Sequence, residues 1–374
     1  MITFSGVRST DVGVEAVVDV DGEPFEVWFR VDGAQVEPVA EAFTTMVLPV
    51  AMARGLPIEA PGPVSEVFLR GLTQWQSVFA AWYPDRLATV PVLAERRRPR
   101  RAERRRACFF TGGVDSFFSA LRHLDAVDAL VFVYGYDVPL VQLPDLRAAV
   151  STGVRAAAGE LGKPLVEVET NLHDFSDAMD SPWGTTYHGV ALAAVAHLLT
   201  PTFGELVAGA THTFANLFPW GSHPLTDGLL SSDRLSLVHD GCDADRVEKA
   251  IAIGRSDVAL RHLRVCWENR NGTYNCGQCG KCIRTQIALK VAGRLEACET
   301  LPDTIDLDDV RSMPLADVNT IAFLAVLVVH LRDLGTEPDL LAACEENLRR
   351  HDPAGIRWGA RDWTSVLLLL GQRL

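Results

Sequence analysis

The segment FFTGGVDSFFSALRHL contains residue types whose spacing suits phosphate chemistry, because two adjacent glycines, Gly112 and Gly113, join an apolar lead-in to an amphipathic helical pattern. In such a turn the backbone N–H groups converge, no side chain obstructs them, and the N terminus of the following helix adds positive potential. The hydroxyl groups of Thr111 and Ser116 flank the glycines and could hydrogen-bond phosphate oxygens. The segment therefore predicts a phosphate site.

The carboxylate of Asp115 inside this turn raises a question of charge. It would repel a phosphate group unless a metal ion stood between them, which predicts Mg²⁺ at the site. The turn has neither the lysine of the GxxxxGK[ST] loop nor the spacing of the GxGxxG fingerprint. The alternative interpretation is an Asp–Ser helix cap beside a tight turn, which the position at the start of a strand–helix series disfavours.

The second group of reactive residues is a cluster of cysteines in VCWENRNGTYNCGQCGKCIRTQIAL, with the spacing Cys-x9-Cys-x2-Cys-x2-Cys. Thiolates two residues apart can bind one tetrahedral ion, which predicts a structural zinc site. Three cysteines could instead hold an iron–sulfur cluster with an open iron, but the fourth favours closed zinc. The predicted ligands are Cys266, Cys276, Cys279 and Cys282.

Composition narrows the class of protein. The chain has 374 residues and a net charge of −13, although the run ERRRPRRAERRR holds eight arginines against two glutamates. The remainder therefore carries −19, which argues against non-specific nucleic-acid binding. The longest apolar run, IAFLAVLVV, is too short for a membrane span and predicts a buried helix. The amino terminus lacks the layout of a signal peptide, so we expect a cytoplasmic protein.

Alternating strand and helix patterns from Ala107 onward predict an α/β fold with a doubly wound parallel sheet. Before them, an Asp-Gly dipeptide between two alternating patterns predicts a hairpin. We expect an α+β N-terminal module in 1–95, an arginine-rich linker in 96–106, a ligand-binding domain in 107–296 and a helical region in 297–374. A solvated linker is the favoured interpretation of the arginines, and an RNA- or phosphate-contacting arm is the alternative.

The segment FTGGVDSFFSAL closely resembles the SGGxDS loop of the PP-loop ATP pyrophosphatases, with Thr111 in place of the usual serine. This superfamily includes NAD synthetase, GMP synthetase, asparagine synthetase, tRNA-thiolating enzymes and 7-cyano-7-deazaguanine synthase. The resemblance implies that the loop holds the pyrophosphate part of ATP while the α-phosphate adenylates a carboxylate or amide-like oxygen. Asp115 and Ser116 would then be the catalytic residues.

The cysteine segment narrows this resemblance. A cysteine followed by CGxCxxC and then Arg284 is similar to 7-cyano-7-deazaguanine synthase and its relatives, and the likeness covers residues 107–295. Those enzymes convert a carboxylate on a deazaguanine to a nitrile with ATP and ammonia. This chain differs in its long extensions on both sides of the core and in the loop GATHTFANLFPWGSHPLTDGLLSSD, which replaces the substrate loop of the family.

Binding residues are assigned partly by the resemblance and partly by residue type. The resemblance implies an ATP-binding set at the turn and at two later strand ends: Thr111, Gly112, Gly113, Val114, Asp115, Ser116, Tyr134, Gly135 and Gly209. The polar and aromatic loop after the fourth strand suits a small planar substrate. With a histidine at a helix start it gives the substrate-binding set His188, Thr211, Asn216, His223 and Asp227. Lys249 is read as a solvated lysine in preference to a phosphate counterion.

These observations predict an ATP-dependent carbon–nitrogen ligase that adenylates a small planar, deazaguanine-like substrate and releases pyrophosphate and AMP. ATP, Mg²⁺ and Zn²⁺ are the expected cofactors, with ammonia or an amine as the nitrogen donor. Two alternatives stay open: a tRNA-modifying, thiolating enzyme, and a non-catalytic nucleotide-binding subunit of a larger assembly. A protein partner at either extension and an oligomer are further expectations, whereas nucleic acid and membranes are not expected partners.

Overall fold

A computed structural model of the chain describes residues 1–316 and 318–351, which form an α/β protein around one sheet. The ten strands of this sheet are β1 Ile2–Thr10, β2 Gly13–Val20, β3 Glu23–Asp32, β4 Ile58–Glu59, β5 Val92–Leu93, β6 Arg106–Phe109, β7 Ala129–Tyr134, β8 Leu165–Thr170, β9 Glu205–Gly209 and β10 Ser236–Asp240. The twelve α-helices in the same residues are α1 Ala40–Arg54, α2 Glu66–Trp82, α3 Val114–Arg122, α4 Pro144–Glu160, α5 Leu172–Ala178, α6 His188–Leu198, α7 Arg246–Ile253, α8 Asp257–His262, α9 Gly280–Val291, α10 Leu307–Ser312, α11 Val318–Leu334 and α12 Pro338–His351.

One half of the sheet is a parallel arrangement whose order reverses in the middle. The strands β10, β9, β6, β7 and β8 lie side by side in that order, and every pairing among them is parallel. Because β6 comes first in the chain and later strands add on both sides of it, the topological switch point lies between β6 and β9. Ligands of such sheets bind outside the carboxyl ends of the strands at this point.

Residues 1–95 extend the same sheet. Strand β3 pairs antiparallel with β8, and β2, β1, β4 and β5 follow outward. The predicted hairpin between β2 and β3 is confirmed: Asp21 and Gly22 have φ values of 56° and 92°, the left-handed values of a type I′ turn. The predicted boundary after residue 95 thus lies within a continuous sheet, and independent folding of the two parts stays a prediction.

Side chains of the central strands enter two hydrophobic cores, one on each face of the sheet. On β7, Ala129 and Val131 enter one core and Leu130 and Phe132 enter the other. Helices α1, α2 and α6 cover the first core, whereas α3, α4, α7, α9, α11 and α12 cover the second. The predicted α/β class, with a mostly parallel sheet and helices on both faces, is therefore confirmed.

Individual elements agree with the sequence patterns only in part. The helices of the predicted α+β module are α1 and α2, and the apolar run IAFLAVLVV, predicted to be a buried helix, lies in α11. No helix among the described residues combines the length and hydropathy needed to cross a bilayer. The patterns do not predict β1, β4, β5 or β10, because β4 and β5 have two residues each and β10 is only half-buried. The last expected helix, WTSVLLLLGQ, lies outside the described residues.

The arginine-rich segment 96–106 is largely exposed, with one clear exception. Arg97 is 12 % exposed, and its guanidinium lies 2.8 Å from Glu41 of α1 and 2.5 Å from Asp233 in the loop before β10. These ion pairs attach the segment to two elements that are distant in sequence. Most of the segment therefore has the exposure expected of a linker, whereas Arg97 is a structural contact.

Candidate functional site

A cavity of about 200 Å³ lies at the carboxyl ends of β6, β7 and β9, at the switch point of the sheet. Its polar lining comes from the turn after β6, from the loops after β7 and β9, and from the segments that flank the cysteine cluster. Its apolar lining includes Tyr136, Trp183 and Leu192. The fold thus assembles distant parts of the chain where sheets of this kind bind ligands.

The glycine turn, residues 111–113, leads from β6 directly into α3. Gly112 has a φ of +75°, a left-handed value that glycine adopts without strain. The Ser116 hydroxyl donates to the Gly113 carbonyl at 3.0 Å and lies 3.2 Å from the Thr111 hydroxyl. Within the described structure no side chain caps α3, so the amides of its first turn are available to an anion.

Asp115 lies in the first turn of α3 and is neutralised by two cations from α7. Its Oδ1 is 3.1 Å from Lys249 Nζ, and its Oδ2 is 3.1 Å from Arg246 Nη2. Lys249 also donates to the Ala210 carbonyl just after β9. Burial alone would raise the pKa of Asp115, but the charges of Arg246 and Lys249 outweigh burial and hold that pKa below its ordinary value.

This network corrects two expectations. The sequence places Mg²⁺ beside Asp115 to relieve its repulsion of phosphate, whereas Arg246 and Lys249 perform that neutralisation. Each carboxylate oxygen of Asp115 is paired with one of these cations, and magnesium at the site stays a prediction. Lys249 is not the solvated lysine of the sequence interpretation, since its side chain is 2 % exposed. It is buried because it reaches from α7 across the switch point to α3 and β9.

Arg264 approaches the glycine turn from another side. Its backbone N–H donates to the Gly112 carbonyl at 2.8 Å, and its Nη2 donates to Asn269 Oδ1 at 2.6 Å. Its Nε is buried without a hydrogen-bond partner. Among the described residues no carboxylate pairs with this guanidinium, although Arg264 is 5 % exposed and lines the cavity. A buried charge is normally paired, so the charge of Arg264 is incompletely satisfied in the described structure.

Lys281 supplies a second unpaired cation to the same cavity. It lies in the first turn of α9, and no carboxylate of the described chain forms an ion pair with it. Both unpaired cations adjoin predicted metal ligands along the chain: Arg264 stands two residues before Cys266, and Lys281 stands directly before Cys282. The cysteine cluster therefore determines where both cations lie.

His188 lines the cavity near its aromatic residues. It follows a π-helical turn, Trp183–Tyr187, a rare conformation that is frequent at functional sites. Its Nδ1 lies 3.2 Å from the Gly184 carbonyl and 3.4 Å from the Trp183 carbonyl, so the proton of the neutral ring belongs on Nδ1. Burial lowers the pKa of His188. Its Nε2, which has no partner in the described chain, is then a hydrogen-bond acceptor.

Asp227 forms a buried network behind the cavity. Its Oδ2 accepts from Ser222 at 2.6 Å and from His239 Nδ1 at 2.7 Å, and its Oδ1 accepts from the His223 amide at 2.9 Å. Burial alone would lower the pKa of His239, but hydrogen bonds to Asp227 and Cys242 raise it to about 9. The network is not a nucleophilic triad, since Ser222 and Asp227 both face the same ring nitrogen of His239.

The structure brings part of the predicted site together. Six predicted residues line the cavity: Thr111, Asp115, Ser116, His188, Gly209 and Thr211. Gly112 and Gly113 form the turn beside the cavity. The side chain of Val114, the first residue of α3, is buried in the hydrophobic core. Their binding roles stay predictions, but their convergence from three separate segments is what a shared site requires.

The other predicted residues lie away from the cavity lining. The Tyr134 hydroxyl donates to Glu167 at 2.8 Å on the far side of β7. Gly135 has a φ of +92° and packs so closely on the Thr170 carbonyl that no Cβ would fit. Asn216 lies in a 3₁₀ turn, and Asp227 has the structural contacts described above. The His223 ring packs edge-on against Trp82 of α2, with centroids 4.9 Å apart.

The four predicted metal ligands form one cluster. Their sulfur atoms all lie within 4.8 Å of one another, and the Cys266–Cys279 and Cys276–Cys282 separations are both 3.9 Å. A tetrahedral zinc ion with Zn–S bonds of about 2.3 Å needs sulfur atoms about 3.8 Å apart. None of the eight cysteines, all within the described residues, forms a disulfide. The cluster therefore fits a four-coordinate metal ion such as zinc.

Local backbone structure explains the shape of this cluster. Cys279 is the N-cap of α9, and its amide donates to the sulfur of Cys276 at 3.2 Å. The amide of Cys282 donates to the sulfur of Cys279 at 3.4 Å. Gly277, between Cys276 and Cys279, has a left-handed φ of +74°. Amide donors directed at sulfur stabilise a thiolate, and the helix N terminus favours negative charge there.

Sequence reasoning missed Arg246, Arg264 and Lys281 and interpreted Lys249 as solvated, although weak signals for the positions of these cations exist. On α7, Arg246 and Lys249 continue the face of Ala250 and Ile253 by one turn, which indicates that they face inward. Arg264 adjoins the first cysteine, whose position is fixed by the cluster. Neither signal identifies the partner, since Asp115 lies more than a hundred residues earlier in the chain.

Comparison with known proteins adds no relative: no protein-family model, curated protein or solved structure matches the chain. Function is therefore inferred from the residues of this chain and from the motif resemblances given above.

Proposed function

We propose that the cavity binds ATP with its phosphate groups on the glycine turn and that the protein is an ATP-dependent ligase. The observation that carries the proposal is the uncapped N terminus of α3, which follows a glycine turn at the switch point of a parallel sheet. Free amides and the helix dipole favour a phosphate group there. The resemblance of FTGGVDSFFSAL to the PP-loop signature supports ATP as the ligand and pyrophosphate as a product.

The charges around the turn support this proposal. Arg246 and Lys249 cancel the charge of Asp115, so the carboxylate does not oppose an incoming phosphate. Arg264 and Lys281 add positive charge that has no carboxylate partner in the described chain. In the proposed reaction Mg²⁺ accompanies the phosphate groups of ATP and is not held by Asp115.

The proposed reaction has two displacement steps. In the first, a carboxylate or amide oxygen of the substrate attacks the α-phosphorus of ATP, the bond from that phosphorus to the bridging oxygen breaks, and pyrophosphate leaves. In the second, ammonia attacks the activated carbon of the adenylated carboxylate, the carbon–oxygen bond breaks, and AMP and a proton leave to give an amide. A nitrile requires a second ATP: the amide oxygen is adenylated in the same way, and its carbon–oxygen bond then breaks as AMP and the N–H protons leave. The protein contributes positioning and stabilisation of charge on the α-phosphate, through the turn amides and nearby cations.

The apolar end of the cavity supports a planar substrate. The rings of Tyr136 and Trp183 both line it, with centroids 4.8 Å apart. His188 offers an unprotonated Nε2, and Ser222 donates its proton to Asp227 and keeps lone pairs for a ligand. Aromatic walls with acceptor groups suit a planar heterocycle that carries N–H groups, such as a deazaguanine-like acid.

The test measures AMP formation from ATP radiolabelled at the α-phosphate, with Mg²⁺, ammonia and 7-carboxy-7-deazaguanine, in zinc-loaded full-length protein. Products are followed by mass spectrometry. Gly112→Ala should abolish AMP formation, because a side chain at φ +75° strains the turn that holds the phosphates. Gly162→Ala is the matched control: its φ is +67°, nothing lies within 4 Å of the added Cβ, and it is remote from the cavity.

AMP together with an amide or nitrile product supports the proposal. Equal AMP formation by wild type and Gly112→Ala would remove the phosphate role from the turn, and no AMP from the wild type with this substrate would contradict the ligase reaction as stated. The thiolating alternative has less support, since no cysteine lines the cavity in the described part of the chain.

A further inference from the structure

We propose that Arg264, assisted by Lys281, is an oxyanion-binding site built from side chains in the same cavity, beside the glycine turn. The ligand group is a phosphate or a carboxylate. The inference deepens the proposed function and rests on it for the identity of the cavity's occupants. One of the substrates must then have a phosphate or carboxylate group that faces Arg264 and Lys281.

The first argument is the incomplete bonding of the Arg264 guanidinium. Among the described residues, Nη2 bonds to Asn269, and the buried Nε has no hydrogen-bond partner. Removing a charge from water costs several kcal/mol unless it is paired and hydrogen-bonded. Arg264 is 5 % exposed and pairs with no carboxylate of the described residues. An anion in the cavity would supply the counter-charge that this guanidinium lacks.

The second argument is that the guanidinium is held in place for such a ligand. The backbone of Arg264 bonds to the Gly112 carbonyl, and Asn269 anchors Nη2 at 2.6 Å. Asn269 is itself fixed, because its Nδ2 donates to the Asp137 carbonyl at 3.2 Å in the loop after β7. A planar fork held at one end can present its other N–H groups to two oxygens of a phosphate or carboxylate.

The third argument is the choice of cations in the cavity. Arg246 and Lys249 share one carboxylate partner, Asp115, which holds both side chains in place and leaves the three groups with one net positive charge. Lys281 lines the cavity and has no such partner in the described chain. Arg264 and Lys281 are therefore the cavity-lining cations whose side chains are not already held by a carboxylate of the described residues.

The test is isothermal titration calorimetry of the zinc-loaded full chain with two probes, inorganic pyrophosphate and benzoate. Arg264→Gln should weaken binding of at least one probe by about ten- to a hundredfold, the loss of a charge-assisted hydrogen bond. Arg261→Gln is the matched control, because this exposed arginine pairs with Glu160 and loses the same charge. Its binding should equal that of the wild type.

The two probes distinguish the source of the anion. A loss confined to pyrophosphate places the nucleotide at Arg264, and a loss confined to benzoate places the substrate acid there; either supports the site. Unchanged affinity of Arg264→Gln for both probes, or no binding of either probe by the wild type, overturns it.

Two further variants keep the test decisive. Arg264→Lys retains the charge but loses the fork, and we expect intermediate affinity. Lys281→Met tests the site without altering a buried residue and should weaken the same probe. Zinc content and melting temperature are measured for each variant. Binding without AMP formation would leave this site standing while removing the proposed reaction, so the two failures are distinguishable.

Discussion

Two pairs of cations stand beside the glycine turn, and their surroundings differ. Arg246 and Lys249, from one helix, are both paired with the carboxylate of Asp115. Arg264 and Lys281 come from the segments around the cysteine cluster and have no carboxylate partner in the described residues. The first pair is bound to a carboxylate of the protein and links α3 and α7 to the end of β9. The second pair is left for a ligand.

The difference shows how one turn can be stable and still bind an anion. A site that relied on Arg246 and Lys249 would have to break a buried ion-pair network before binding. A site that relies on Arg264 and Lys281 gains its missing partner on binding, which favours association. The cost is a guanidinium kept from water without a counter-charge.

The largest expected loss of stability comes from the cysteine cluster, whose ligands Cys266 and Cys282 are close in the chain to the unpaired cations Arg264 and Lys281. Cys279→Ser should lose the metal, lower the free energy of unfolding by more than about 5 kcal/mol and abolish anion binding, since structural zinc contributes about 10 kcal/mol in small domains. Metal content and chemical denaturation measure this. Cys298→Ser is the control, a buried cysteine outside the cluster. A metal-free Cys279→Ser protein of wild-type stability would contradict the structural role.

The second effect concerns the paired cations. Asp115→Ala leaves Lys249 and Arg246 buried without their partner, and we expect a loss of about 3–5 kcal/mol in chemical denaturation. Asp125→Ala, an exposed carboxylate just after the same helix, should change stability by less than about 0.5 kcal/mol. Similar stabilities of the two variants would mean that the Asp115 network does not hold the fold.

A third expected effect is a pH-dependent change in stability at Asp227, whose carboxylate oxygens both accept hydrogen bonds. The pKa of His239 is raised to about 9, above an unfolded value near 6.5, so its stabilisation is complete below about pH 6.5 and lost as pH rises through about 9. The shift corresponds to up to about 3 kcal/mol. The stability difference between wild type and His239→Asn should therefore shrink over this range in denaturation experiments. A constant difference would show that His239 is neutral in the fold.

The smallest stability effect should come from Arg264. Because no carboxylate of the described residues pairs with its charge, Arg264→Gln should leave the free energy of unfolding within about 1 kcal/mol of wild type, or raise it. Thermal unfolding measures this beside Asp115→Ala. A loss as large as that of Asp115→Ala would place Arg264 among the residues that maintain the fold and would erase the contrast between the two pairs.

The parallel half of the fold could be predicted from sequence because each strand is a short apolar run followed by a helical pattern. The strand ALVFVY is buried along its whole length as β7, as its continuous apolar character indicates. The joining of the N-terminal strands to this sheet could not be predicted. It depends on the pairing of β3 with β8, whose partners lie more than a hundred residues apart and share no local pattern.

The site was predictable where one segment carries the chemistry. The cysteines lie within a single short stretch, so their spacing alone predicts the cluster that the structure contains. The charge balance of the turn was not predictable, since the neutralisation of Asp115 depends on α7 packing against α3. For the same reason, the sequence suggested that a magnesium ion neutralises Asp115, whereas two side chains pair with it in the structure.

The most direct test of the account is a crystal structure of the zinc-loaded protein with ATP and Mg²⁺. The account predicts phosphate oxygens within hydrogen-bond distance of the amides at the start of α3, an oxyanion on Arg264, and Asp115 still paired with Lys249 and Arg246. A nucleotide bound elsewhere, or Asp115 released from its partners to coordinate Mg²⁺, would contradict it.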